Sequence, residues 1–255
     1  MGREIYPALS GGLRSMRSLD VLANNLANVN TVGFKADRVR FELLEPQGLG
    51  NQGEAAARLG ASFISSASEV TDYSQGMLRE TGNPTDLALH GESGFFQLVA
   101  PDADATGEEE GAVLTRAGAF HLDAEGYLAA GSGYRVLAEN GEPVKIPPGE
   151  LVIDHTGAIQ VAGAAVAQLA IVDVADRTQL AKSGGGRWVA DVGVELVPAA
   201  AEVLQGHLES SNVEPVQALT ELIAITRYYE AFQKNLDASS KLDEALNSQV
   251  GRLDR

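Results

Sequence analysis

The two ends of this 255-residue chain carry the same spacing of apolar residues, and that spacing constrains the fold more than anything between them. Near the N-terminus, Ile5, Leu9, Gly12, Met16, Leu19, Ala23 and Leu26 follow one another at intervals of four and three. Near the C-terminus, Leu222, Ile225, Tyr229, Phe232 and Leu236 do the same, and the seam resumes at Leu246, Val250 and Leu253 after Ser239 and Asp243. Alternating steps of four and three put every member on one stripe of an α-helix, the stripe by which helices pack side by side. Gly11 and Gly12 weaken the first helix by about 1 kcal/mol each relative to Ala, and the Asn28–Gly33 stretch ends it. The second helix has no glycine from Val213 to Val250. Its one proline, Pro215, falls in the first turn, where a missing N–H costs little, and Ser211 or Asn212 can cap it.

The middle of the chain follows a different rule. Phe95–Val99, Ala119–Leu122, Leu151–Ile153 and Val166–Val174 are short apolar runs of strand character. Turn signals separate them at Asp123–Gly126, Ala138–Gly141 and Asp154–Gly157, each a polar turn-former followed by a glycine that can take positive φ. Short strands at this spacing predict an antiparallel β domain. Residues 45–62 read as a linker or mobile loop, and 100–112, with Glu108-Glu109-Glu110, as an exposed loop. The predicted fold class is α+β: long N- and C-terminal helices forming a paired coiled-coil-like domain, with an inserted antiparallel β-rich domain. The predicted boundaries are a terminal helical assembly domain from 1–35 and 210–255, an extended connecting segment with a mobile loop at 36–80, and a β-rich outer domain at 81–209.

Charge separates the same regions. The formal net charge is −16, which argues against a nucleic-acid partner. Residues 1–40 are net +3 and 209–255 net −3, while 41–208 hold twenty-four acidic and eight basic side chains. The ends are weakly complementary and the middle repels itself. Cysteine is absent, which excludes disulfide and thiolate chemistry. No apolar run is long enough to cross a bilayer, so no direct membrane insertion is expected. The opening residues lack a secretory core and cleavage site.

Catalytic patterns are near-misses. His90, His121, His155 and His207 show no metal-ligand spacing. Gly91-Glu92-Ser93-Gly94 resembles a nucleophile elbow, but Phe95 stands where its last glycine belongs. Ser183–Arg187 is glycine-rich without the lysine of a phosphate loop. Asp102–Gly107 opens like a calcium loop, yet position twelve is Val113 instead of glutamate. No catalytic residue, metal site or cofactor is expected. A carbohydrate-acting enzyme would need two carboxylates in a cleft, and the acidic residues here fall in turns.

The distinctive motif is Ala23-Asn24-Asn25-Leu26-Ala27-Asn28-Val29-Asn30-Thr31-Val32-Gly33-Phe34-Lys35-Ala36. Asparagine at a helix end is ordinary capping chemistry. That accounts for Asn28 and Asn30, and less well for Asn24 and Asn25. A buried asparagine has its best-attested use in fixing register between partners. The motif resembles the N-terminal signature of the flagellar axial proteins, the rod and hook family. Three further blocks follow in family order: Thr81–Leu89 with Gly94-Phe95-Phe96, Thr115–Asp123, and Leu208–Val216. Glu4–Gly11 is similar to the proximal type of rod subunit, and the distal type shares nearly all the other blocks. The short middle argues against a hook protein.

The resemblance implies a rod subunit of the basal body that crosses the periplasm, exported by the flagellar export apparatus without a cleaved signal peptide. Its partners would be copies of itself and other flagellar rod proteins. Asn24, Asn25, Leu26, Ala27, Asn28, Asn30, Thr31, Gly33 and Phe34 would form the assembly motif. Ile5, Leu9, Met16, Leu19, Leu222, Ile225, Tyr229, Phe232 and Leu236 would form the helix seams that build a torque-transmitting helical tube. The alternatives are a distal rod or hook-type axial subunit, or a coiled-coil adaptor that binds partners without polymerising.

Overall fold

The computed structural model describes residues 5–44, 63–100, 111–131, 133–199 and 201–253, with side chains described except at 5–11, 41–44, 63–67, 239–240 and 242–253. The linker reading of 45–62, the calcium-loop near-miss and most of the loop at 100–112 lie outside the described residues. The chain divides into two compact units.

The first unit comprises residues 1–27, 37–71 and 214–255. It holds helix α1 (Ile5–Ala27), strands β1 (Asp37–Leu44) and β2 (Phe63–Thr71), and helix α2 (Pro215–Leu253). β1 and β2 pair antiparallel from Asp37↔Thr71 to Leu44↔Phe63, with an irregularity after Glu42. Helix α2 starts on Pro215, whose fixed φ suits a first turn, and Ala218 N–H closes that turn on Glu214 O at 2.9 Å. The two helices pack together. Their close approach is at Gly12, where an added Cβ would stand 2.5 Å from Cε1 of Phe232. A glycine that weakens the helix is therefore the residue that lets an aromatic ring lie against it.

The second unit comprises residues 28–36 and 72–213. Its strands are β3 (Leu78–Glu80), β4 (Leu87–His90), β5 (Phe95–Val99), β6 (Val113–Thr115), β7 (Phe120–Leu122), β8 (Leu128–Ala130), β9 (Arg135–Val136) and β10 (Leu151–Ile153). There follow β11 (Ala158–Val161), β12 (Ala164–Gln168), β13 (Ile171–Val174), β14 (Leu180–Gly184), β15 (Arg187–Ala190), β16 (Leu196–Pro198), β17 (Glu202–Gln205) and β18 (His207–Glu209). All pairings are antiparallel. The main sheet has nine strands, ordered β14-β15-β6-β5-β9-β8-β7, with β13 joining β5 to β16. β10-β11-β12 form a separate meander, and β17-β4 and β18-β3 form two-stranded ribbons. β5 is buried on both faces because successive side chains point opposite ways. Phe95 packs with Leu114, Val174 and Trp188, while Phe96 packs with Leu87, Leu98, Phe120 and Ile171. The Phe96 and Phe120 rings meet edge to face at 5.2 Å, a geometry favoured by the ring quadrupoles.

The fold class expected from the sequence is corrected here. Among the described residues eighteen strands stand against two α-helices, and the unit that contains the helices contains a strand pair as well. The chain is predominantly β, not a coiled-coil framework with a β insert. The physical reason is the content of the α1 stripe. Among its described side chains, from residue 12 on, the buried positions are Gly12, Ser15, Val21 and Asn25, mostly small or polar, while Met16 is 48% exposed. A coiled coil needs large apolar knobs at those positions.

Candidate functional site

Residues of the asparagine-rich motif and of the Thr115–Asp123 and Leu208–Val216 blocks are held by intramolecular hydrogen bonds. Within the first unit, Asn25 is buried at the end of α1. Its Nδ2 donates to Asp37 O at 2.8 Å and its Oδ1 accepts from Asp37 N–H at 2.9 Å. Both halves of the amide are thus spent on the backbone that opens β1, which satisfies a buried polar group that would otherwise be costly. Asn24 and Ala27 are exposed and Leu26 is half-buried on the same turn.

The rest of the motif belongs to the second unit. Thr31 N–H and Oγ1 both return to Asn28, at 3.0 Å to its carbonyl and 3.1 Å to its side chain. Asn30 is exposed. Gly33 takes φ +67°, and a Cβ there would lie 2.4 Å from Ala117 N. Its N–H donates to Glu209 O at 2.8 Å. Phe34 is buried, with Lys182 Nζ 4.7 Å above its ring.

Next to it lies a group of buried charges, Lys35, Arg116 and Glu209. Lys35 and Arg116 side chains are 1% exposed and the Glu209 side chain 0%. Glu209 Oε1 accepts from Lys35 Nζ at 2.5 Å and from Gly76 N–H at 2.9 Å, and Oε2 accepts from Arg116 Nη1 at 3.3 Å. Lys35 Nζ also donates to Ser74 O at 2.7 Å, and Arg116 Nη1 to Gly91 O at 2.9 Å. Two cations share one carboxylate. Burial lowers the pKa of both Lys35 and Arg116, against the opposing pull of Glu209. Asn212 adds a clip nearby: Oδ1 accepts from Ala36 N–H at 2.7 Å and Nδ2 donates to Asp72 O at 2.8 Å. The cluster thereby joins residues 33–36, 72–76, Arg116 and 209–212, three of which are places where the chain enters or leaves this unit. The sequence signal is a charged residue inside each of three motif blocks: Lys35, Arg116 and Glu209.

The expected helix seams are placed as follows. Leu19, Leu222, Ile225, Tyr229 and Phe232 are half-buried. Met16 and Leu236 are exposed. Ile5 and Leu9 have side chains outside the described set.

One cleft of about 1190 Å³ in the second unit is lined by Leu122, Asp123, Glu125, Lys145, Pro147, Pro148 and their neighbours. Asp123 and Glu125 are both engaged by Arg135 Nη2, at 3.0 and 2.5 Å. Partial desolvation would raise the Asp123 pKa, but amide hydrogen bonds from Tyr127 and Glu125 and the Arg135 charge leave it lowered. A glycosidase acid needs the opposite shift. Among the described residues no group of three His, Asp or Glu side chains is placed to hold a metal ion, and no described helix is long and apolar enough to cross a membrane.

Comparison with known proteins matches three family models along the chain. Residues 6–35 match the flagella basal body rod protein family, 88–161 the D1 domain of the flagellar hook protein FlgE/F/G family, and 204–249 the C-terminal region of the flagellar basal body rod FlgEFG proteins. The chain is 31% identical to the flagellar basal-body rod protein FlgF of Caulobacter vibrioides, over 99% of this chain and 100% of that relative. It is 32% identical to FlgG of Bacillus subtilis, over 96% of this chain and 98% of the relative. It is also 32% identical to FlgF of Mesorhizobium japonicum, over 97% and 98%. With both ends and the middle matched in order and relatives aligned over their full length, this chain belongs to the FlgF/FlgG family of flagellar basal-body rod proteins.

Proposed function

We propose that this chain is a structural, non-catalytic subunit of the flagellar basal-body rod, joined to copies of itself and to other rod proteins through the outward faces of its helices. The observation that carries this reading is the apolar surface left on helices whose other faces are already packed. On α1, Leu13 is 60% and Met16 48% exposed; on α2, Val216 is 76%, Leu219 45%, Ile223 51% and Tyr228 62% exposed. Exposed apolar residues recurring along one element mark a contact surface, and a contact repeated between copies without closing generates a helical tube. The half-buried seam residues Leu222, Ile225, Tyr229 and Phe232 hold the helix pair in the shape that presents this surface. Asn24 to Phe34 fix where α1 ends and how the chain continues.

The same reading places the chain in the periplasmic part of the basal body, delivered by the flagellar export apparatus. The proximal type, FlgF, is favoured by the resemblance of Glu4–Gly11.

Ile223→Asp tests the proposal. Half of this side chain already meets water, so unfolding of the purified variant should change by no more than about 0.5 kcal/mol, as surface substitutions do. In cells, incorporation into basal bodies and swimming should both be lost. Normal swimming with the variant as the sole copy overturns the proposal.

A further inference from the structure

From His155 to Val172, eighteen consecutive residues carry no Asp, Glu, Lys or Arg, the longest such run in the sequence. It lies inside the most acidic part of the chain, where twenty-four acidic residues face eight basic ones. The run forms β11, the turn after it, β12 and the start of β13. In the β10-β11-β12 meander, Val152 stands opposite Gln160 and Gln160 opposite Ala165. These three share one face, and all are exposed, as is Val166 beside them. The other face carries Ile153 and Ile159, which are buried in the core. Three consecutive exposed residues, Ala164 to Val166, show that the end of β12 is uncovered on both faces.

The turn adds a second, independent observation. Ala162 has φ +49° and is the only non-glycine residue with positive φ among the described residues. Gly163 follows at φ +81°. Asn, Asp or Gly occupies such a position without strain, whereas alanine costs about 1 kcal/mol. The hairpin tip thus carries a strained methyl group where a polar residue would be relaxed.

We propose that this uncharged face of the β10-β11-β12 meander is where the β-rich units of neighbouring copies of this chain touch. The inference rests on the rod-subunit reading, because an assembly of many copies is what sets these units side by side. Charge selects the occupant. A basic partner would gain most on the acidic surfaces of the unit and would have no use for an uncharged patch. A partner as acidic as this chain is repelled everywhere else, since like charges a few ångströms apart cost about 1 kcal/mol per pair even in water. A second copy is such a partner. On the meander the nearest carboxylates in sequence, Glu150, Asp154 and Asp173, flank the uncharged strands. The contact is made by side chains and not by a sheet running through two molecules, because the bulge opposite Ile159–Gln160 disrupts the β12 edge.

The test places the photoreactive residue p-benzoylphenylalanine at Val166 of the full chain in cells, with a control at Val192, which is 73% exposed in the same unit. Basal bodies are isolated, irradiated and analysed by mass spectrometry. The expected result is a covalent dimer of this chain from position 166 and none from position 192. If the labelled chain is present in basal bodies but gives no self-product from 166, or is joined there to a different protein, the inference is overturned and the rod reading stands. If the chain is absent from basal bodies carrying intact rods, both are overturned.

Discussion

Replacing Glu209 by glutamine removes one negative charge and almost no volume, at a place where two buried cations share it as their hydrogen-bonded carboxylate. Lys35 and Arg116 each approach Glu209, and all three side chains are at most 1% exposed. Lys35 would keep Ser74 O and Arg116 would keep Gly91 O, so the lost quantity is charge compensation more than hydrogen-bond count. Removing one partner of a buried ion pair costs about 3–5 kcal/mol because it leaves an uncompensated buried charge. A domain holds about 5–15 kcal/mol in total, so Glu209→Gln should remove roughly a fifth or more of the stability of the second unit. Lys35→Met alone leaves Arg116 paired one-to-one with Glu209 and should cost less. Combined with Glu209→Gln, it removes one of the two unmatched cations and should recover part of the loss. The two substitutions are therefore strongly non-additive, as expected for groups in one network. Urea unfolding of the four proteins, followed by Trp188 fluorescence, measures this directly, since Trp188 is buried in the second unit. A Glu209→Gln cost below about 1 kcal/mol, in the range of ordinary surface changes, or strict additivity, would refute the reasoning.

Gly33→Ala should destabilise the second unit by more than about 1 kcal/mol, because it combines a positive-φ penalty with a Cβ 2.4 Å from backbone at Ala117; an unchanged urea midpoint would contradict this. Asn25→Ala should cost about 1–3 kcal/mol by removing the two bonds that its side chain makes to the Asp37 N–H and C=O, and hydrogen exchange at Asp37 should accelerate while exchange at Leu98 stays slow. Acid should weaken the second unit through its turn aspartates. The Thr156 hydroxyl and Ala158 amide lower the pKa of Asp154, and the Thr178 hydroxyl and amide lower that of Asp176. At Asp173, desolvation is outweighed by Arg177 and by the Val174 amide. Each folded value lies below the ordinary 3.8, so between the two values the unfolded chain binds more protons. The contribution is complete above about pH 3.8 and lost as pH falls through the folded values. Asp154→Asn should flatten that part of the urea-midpoint profile, and an unchanged profile would count against the assignment.

Several elements were plain in the sequence for physical reasons. α1 and α2 show their period over many turns. β5 is visible because Phe95–Val99 is an apolar run bounded by glycine and proline, and the turn glycines Gly126, Gly141 and Gly157 all take positive φ. The balance of the fold was not legible, because strands such as Arg135–Val136 and Leu196–Pro198 are too short to alternate. The partners of the charged residues were hidden as well. Lys35 and Glu209 are 174 positions apart, and nothing local distinguishes a lysine that ends buried from one on the surface. Asn25 was conspicuous as a polar residue on an apolar helix, but its partner, the Asp37 backbone, carries no side-chain signature.

Electron cryotomography of basal bodies from cells whose only copy of this chain carries an electron-dense tag within 101–110 tests the central claim most directly. A structural rod subunit places repeated tag density along a defined length of the rod, with many copies in each basal body. Complete, tag-free rods in cells that express the tagged chain, or one or two tags per basal body, would contradict it.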